Sequence, residues 1–126
     1  MRLNNDCVRD ILFSVEDNTG YNLQLCYPIE KEKCPKLNKY NDDEVMYHLI
    51  QCGKSNLIEC SQLDLSGNLI IKDLTPRGHE YLNNIRKDTN WSKVKKISKS
   101  VGAESLKVME DIAVGVITNV INIQIK

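Results

Sequence analysis

What the chain lacks narrows its function before any residue is singled out. Net charge is absent: Lys plus Arg and Asp plus Glu both total 17, so no global field draws the chain toward nucleic acid. Any such attraction has to come from a local patch. The opening residues, MRLNNDCVRD, contain no apolar h-region, so no secretory signal is expected. The longest weakly charged stretch, residues 112–125, is too short for a bilayer span and includes Asn119, Asn122 and Gln124. No membrane partner is expected, and the cytoplasm is the expected compartment. Internal repeats, low-complexity tracts and catalytic signatures are absent too. The chain is therefore expected to be no enzyme and to need no cofactor or metal.

Paired cysteine motifs are also missing. Cys7, Cys26, Cys34, Cys52 and Cys60 make an odd number with no Cys-x-x-Cys spacing. Without an export signal they read as reduced, partly buried small hydrophobes. What is present suits a soluble domain: 41% hydrophobic residues can supply a core, and 27% charged residues is ordinary. At 126 residues one domain is expected, with room for a helical appendage.

Periodicity predicts a first helix over residues 5–17, with Cys7, Val8, Ile11, Leu12 and Val15 on one face. Asn4 is its cap, Leu3 and Val8 its hydrophobic staple, and Asn18-Thr19-Gly20 its stop. Tyr21, Leu23 and Leu25 alternate like a short strand that Pro28 ends, and residues 30–39 read as a charged loop. Asn41-Asp42-Asp43-Glu44 opens a second helix as a capping box, Tyr40 and Val45 staple it, and Val45, Met46, Leu49 and Ile50 form its buried stripe. Asn56 is the expected left-handed terminator, since Gly53 comes too early for the strand that starts at Leu57. Residues 57–65 and 69–74 then form a hairpin about Ser66-Gly67-Asn68. Inward alternation shifts from Ile58 and Cys60 to Leu63 and Leu65, which predicts a bulge near Ser61-Gln62. Leu74-Thr75-Pro76 reads as strand end, cap and first helical position, and Tyr81, Leu82 and Ile85 line the inner face of that helix. Two more helices are expected over residues 91–101 and 104–122. Trp91, Val94, Ile97 and Val101 share one face of the first, opposite Lys95, Lys96 and Lys99.

This is an α+β, mostly α pattern, and its order of helix, strand, helix, hairpin, helix is that of a winged-helix domain. Asp73-Leu74-Thr75-Pro76-Arg77-Gly78-His79-Glu80-Tyr81-Leu82 resembles the segment that follows the wing in many small bacterial winged-helix proteins. Asn5-Asp6-Cys7-Val8-Arg9-Asp10-Ile11-Leu12, the stretch from Asp42 through Cys52, Asn84 through Trp91, and Ala113-Val114-Gly115-Val116-Ile117-Thr118 are similar to one family. That family consists of uncharacterised proteins of Gram-positive bacteria and their phages, grouped as a domain of unknown function. The resemblance covers nearly the whole chain. It implies a winged-helix-like domain over residues 1–88, a C-terminal helical extension over 89–126 and a phage or prophage setting in a bacterial host. It supplies no activity to carry over.

DNA binding is the default for the fold, yet residues 40–64 hold five acids against Lys54 alone, and the hairpin tip has no base. Basic charge lies further on: Arg77, Arg86, Lys87, Lys93, Lys95, Lys96 and Lys99 against Glu80 and Asp88. These seven residues are the candidate contacts for DNA or for an acidic protein; a merely solvated helix face is the competing reading. His48 and Cys52, four apart on one helix, could approach each other as a nucleophile pair or join Cys60 on zinc, but a buried Cys and a surface His explain them more simply. His79 suits a structural role at the hairpin-helix junction. Trp91, Leu106, Met109, Ile112, Val116 and Val120 are the candidate oligomer or partner interface, which folds back on the domain or buries against a twin in a homodimer or a host protein. Two functions stay open: a phage-type DNA-binding or regulatory accessory protein, which the fold analogy favours, or, as the alternative, a protein-interaction module on the same scaffold that does not bind DNA.

Overall fold

Asn4 starts the first helix by accepting two backbone N–H groups on its side chain, from Asp6 at 3.1 Å and Cys7 at 3.2 Å. The helix α1 runs Asn5–Asn18 and buries Cys7, Val8, Ile11, Leu12 and Val15, the stripe its sequence spacing predicts. It stops where Thr19 turns extended and returns its hydroxyl to the Val15 carbonyl. The computed structural model describes residues 1–61 and 63–125.

The strand expected from Tyr21 begins four residues later. Tyr21 and Leu23 are exposed beside an isolated Gly20–Leu23 bridge, and β1 is Leu25–Tyr27. Its cis Tyr27–Pro28 bond leads into two 3-10 turns, Lys31–Lys33 and Pro35–Leu37, where the sequence suggests only a loop. Leu37 and Cys34 anchor these turns in the core.

Asn41 caps α2, Asp42–Lys54, by accepting the Glu44 N–H at 2.8 Å. Gly53 does not break α2, and it has a packing reason to be glycine: a Cβ there would meet Cys60 Sγ at 3.0 Å. Ser55 caps the helix, and Asn56 is the expected left-handed terminator just beyond it, at φ 61. Leu57 N–H donates to the Cys52 carbonyl and Asn56 N–H to that of Gly53, which completes a Schellman motif.

The hairpin is shorter than its apolar pattern suggests. Strands β2, Ile58–Cys60, and β3, Leu69–Leu74, pair antiparallel, and β1 pairs with the other side of β3, giving the order β1-β3-β2. The pairing register shifts between Glu59 and Cys60, so the irregularity falls before the expected Ser61-Gln62. Gln62 lies outside the described residues. Leu63 and Leu65, expected to point inward, are exposed. Asp64 draws this segment into a turn instead of a strand: its carboxylate accepts Ser66 N–H at 2.9 Å and Asn68 N–H at 2.8 Å. Those backbone donors, Asn68 first, hold the Asp64 carboxyl below its ordinary range. Gly67 supplies the positive φ at the tip.

Thr75 and Pro76 open α3, Pro76–Ile85, as cap and first residue. Thr75 Oγ1 accepts Gly78 N–H at 3.0 Å and donates to the Asn56 carbonyl at 2.6 Å, while Thr75 N–H donates to Leu57 O at 3.0 Å. Farther along, Tyr81, Leu82 and Ile85 are buried. The chain divides into two compact units inside this helix, Met1–His79 and Glu80–Lys126. The second contains α4, Asp88–Val101, and α5, Leu106–Ile125. Gly102, left-handed at φ 79, separates them, and buried Ser98 donates its hydroxyl to Ala103 O at 2.8 Å. Among the described residues the architecture is therefore α+β and mostly helical, with five α-helices and one three-stranded antiparallel sheet.

Gly78 is the tightest point of this arrangement, because a Cβ would sit 1.9 Å from Leu57 O. Gly78→Ala should therefore cost about 3 kcal/mol or more. Gly115→Ala, where a Cβ meets nothing within 4 Å, should be neutral or gain up to about 1 kcal/mol of helix propensity. Urea unfolding of both variants checks this; equal midpoints would contradict the close approach at Gly78.

Candidate functional site

The histidine and cysteine of α2 form no reactive pair. His48 is fully buried rather than on the surface, and both ring nitrogens are engaged. Nε2 accepts the Asn4 N–H at 2.8 Å, so the proton sits on Nδ1 and is donated to the Glu44 carbonyl at 2.7 Å. The imidazole thus ties the capping residue of α1 to the first turn of α2. Cys52 is buried, and burial pushes its thiol up, away from the thiolate a nucleophile needs. Burial likewise raises Cys60 and holds Cys7 at about 12, with Glu44 and Asp10 adding to the latter. Zinc binding by His48, Cys52 and Cys60 has no geometric basis: among the described residues no group of three or more His, Cys, Asp or Glu side chains could hold a metal. His79 lies 3.9 Å from Asp73 on β3, next to the junction it was expected to support.

The acidic opening of α2 is partly neutralised locally. Asp42 pairs with Lys31 at 3.2 Å and also hydrogen-bonds the buried Tyr27, whose phenol is pushed up to about 12, chiefly by burial and then by Asp42. Asp43 remains on the exposed surface.

The seven basic candidates do not all belong to one compact unit. Arg77 is in the first; Arg86, Lys87, Lys93, Lys95, Lys96 and Lys99 are in the second. Lys95 is drawn over the Trp91 ring, 5.7 Å from its centroid, which leaves Lys93, Lys96 and Lys99 as the exposed lysines of α4. Lys93 and Lys96 line a groove of about 350 Å³ with Ile97 of α4 and Ile112, Gly115, Val116 and Asn119 of α5. Gly115 leaves space there, since nothing approaches the place its Cβ would occupy.

Several expected interface residues are already covered within the chain: Trp91, Leu106, Met109 and Val116 are buried, and Ile112 and Val120 are partly so. The exposed apolar side chains of this unit are instead Ile97, Val101, Val114, Ile121, Ile123 and Ile125. α5 is 20 residues long, and by length and composition it is apolar enough to cross a membrane. The expectation drawn from residues 112–125 alone underestimated it, because the helix begins six residues earlier.

Sequence reasoning also missed a cleft of about 900 Å³ in the first unit. Ile50, Ile58, Cys60, Leu69 and Leu74 supply its apolar wall, and Lys54, Glu59 and Asp73 its charges. Its residues come from α2, β2, β3 and the start of α3, so no sequence spacing announces it.

Two measurements check the buried groups. His48→Ala leaves the Asn4 N–H without its acceptor and empties a fully buried site, and should cost about 2–4 kcal/mol in urea unfolding; an unchanged midpoint would remove the link between α1 and α2. Alkaline titration tests the raised groups. The ordinary values are 9.0 for Cys7 and 10.0 for Tyr27, against about 12 for each in the fold. The unfolded chain therefore ionises first. Their stabilisation is complete below pH 9.0 and lost as pH rises through about 12. Stability should fall across that window, and a flat profile would contradict it.

The chain matches the family model described as "Hypothetical protein (DUF2513)" over residues 2–104, and it belongs to that family. The match stops just short of α5. No curated protein and no solved structure matches the chain.

Proposed function

Taking membership of that family as the premise, we propose that this chain is a non-catalytic, phage- or prophage-type accessory protein. Its scaffold is a winged helix, and it works in the bacterial cytoplasm by engaging a protein partner through α4 and α5. The element order through α3 and the sheet order β1-β3-β2 support the winged-helix assignment. The hairpin β2–β3 then corresponds to the wing and α2 to the helix that enters the major groove in DNA-binding relatives of the fold.

The observation that carries the partner class is the lysine-rimmed apolar groove on the α4–α5 hairpin. Ile97, Ile112 and Val116 offer anchorage to apolar side chains, and Lys93 and Lys96 offer charge to carboxylates beside them. An acidic amphipathic segment fits both. The α2 surface suits DNA poorly, with Asp42, Asp43 and Glu44 in its first turn, where phosphate would have to dock. DNA binding is the second reading, supported by the exposed Lys93, Lys96 and Lys99 along α4.

Salt separates the two. Host-cell pull-down with the wild type and with Ile112→Asp should recover a partner that resists moderate salt and is lost in the variant. Titration with mixed-sequence duplex should show no binding at low salt. Tight duplex binding that falls steeply with salt, and that disappears when Lys93, Lys96 and Lys99 become Glu, would replace the protein-partner reading with the DNA one.

A further inference from the structure

Two apolar stripes run along α5. Leu106, Met109, Ala113 and Val116 form the buried one. Val114, Thr118, Ile121 and Ile125 form the other, spaced four, three and four residues apart like the seam of a coiled coil. At 100° per residue its centre lies about 130° around the helix from the buried stripe. It is open to solvent: Val114 is 46% exposed, Ile121 50% and Ile125 78%.

Three features say what covers such a face. Residues 112–125 contain no Asp, Glu, Lys or Arg. The seam therefore offers nothing to a phosphate and does not repel an identical seam. The single polar group on the stripe is satisfied internally, because Thr118 Oγ1 donates to the Val114 carbonyl at 2.8 Å. Its methyl can be buried without orphaning the hydroxyl. Elsewhere on the same turns stand Asn119, Asn122 and Gln124, which remain hydrated beside a protein seam but would be stranded in hydrocarbon.

We propose that a second copy of this chain covers the seam, with the two α5 helices antiparallel. Charge selects that direction. Lys107 and Asp111, paired at 3.2 Å, continue the stripe toward the start of α5. A parallel pairing would set each against its twin, like charge on like charge. An antiparallel pairing places Val114 opposite Ile125 and Thr118 opposite Ile121, sets each Lys107–Asp111 ion pair outside the Val114–Ile125 seam, away from its twin, and opposes the two helix dipoles. This seam is distinct from the lysine-rimmed groove, so the dimer stands or falls independently of the partner reading.

The seam spans about 18 Å of helix, well short of a standard stable interface, so association is concentration-dependent in the micromolar range. Sedimentation equilibrium of the full chain up to about 1 mM should show a monomer-dimer equilibrium. Ile121→Glu should abolish it while leaving the helical circular dichroism unchanged. Thr118→Leu should tighten it roughly tenfold, and Lys96→Glu, in the groove, should leave it unaltered. A wild type that stays monomeric throughout overturns the proposal. So does an Ile121→Glu or Thr118→Leu variant with wild-type association, a dimer lost in Lys96→Glu, or binding of monomer to anionic phosphatidylserine vesicles in place of self-association.

Discussion

The Leu57 carbonyl sits where the end of α2, the start of β2 and the first turn of α3 come together. It accepts the Thr75 N–H, and it lies directly beneath Gly78, where no side chain fits. The same residue's N–H closes the Schellman motif of α2. One residue thus fixes where α2 ends, where β2 begins and where the first turn of α3 settles. Thr75 reinforces this by bridging the Asn56 carbonyl and the Gly78 N–H. Because the end of one helix and the start of another meet at this one residue, a backbone shift at either disturbs both, which is the physical meaning of a glycine with no spare volume.

His48 plays the corresponding part at the other end of α2. A buried imidazole has two polar nitrogens to satisfy, and here each meets a backbone group on a different element. The arrangement uses up the chemistry that a histidine four residues from a cysteine suggests in the sequence. The raised thiols point the same way: these side chains fill space and hold the unit together.

The helical ends were legible in the sequence because capping is local. Asn4, Asn41, Asn56, Thr75 and Gly102 act within a few residues of their own positions, so residue type and spacing suffice to find them. The core stripe of α1 was legible for the same reason. The hairpin misled because Leu63 and Leu65 alternate like strand residues, whereas Asp64 between them captures two backbone donors and turns the chain. β1 was displaced because its position depends on pairing with β3, 42 to 46 residues away along the chain, for example Leu25 with Ile71. Of the candidate sites, the lysines of α4 were visible as a charge run, but the groove they flank was not, since half its wall comes from α5.

By itself the sequence determined the family, the mixed and mostly helical class, the caps and stops, and the placement of positive charge after residue 76. Each follows from composition or from interactions a few residues long. Only the tertiary structure decided that His48 is a buried strut, that Gly78 is obligatory, and that Trp91 and the Leu106–Met109–Val116 face are spent inside the chain. It also separated the two stripes of α5, which the sequence shows as one broad apolar run. The reason is that burial belongs to pairs of surfaces: a helix's own periodicity says which side chains share a face, and only its neighbour determines which of those faces remains open to solvent.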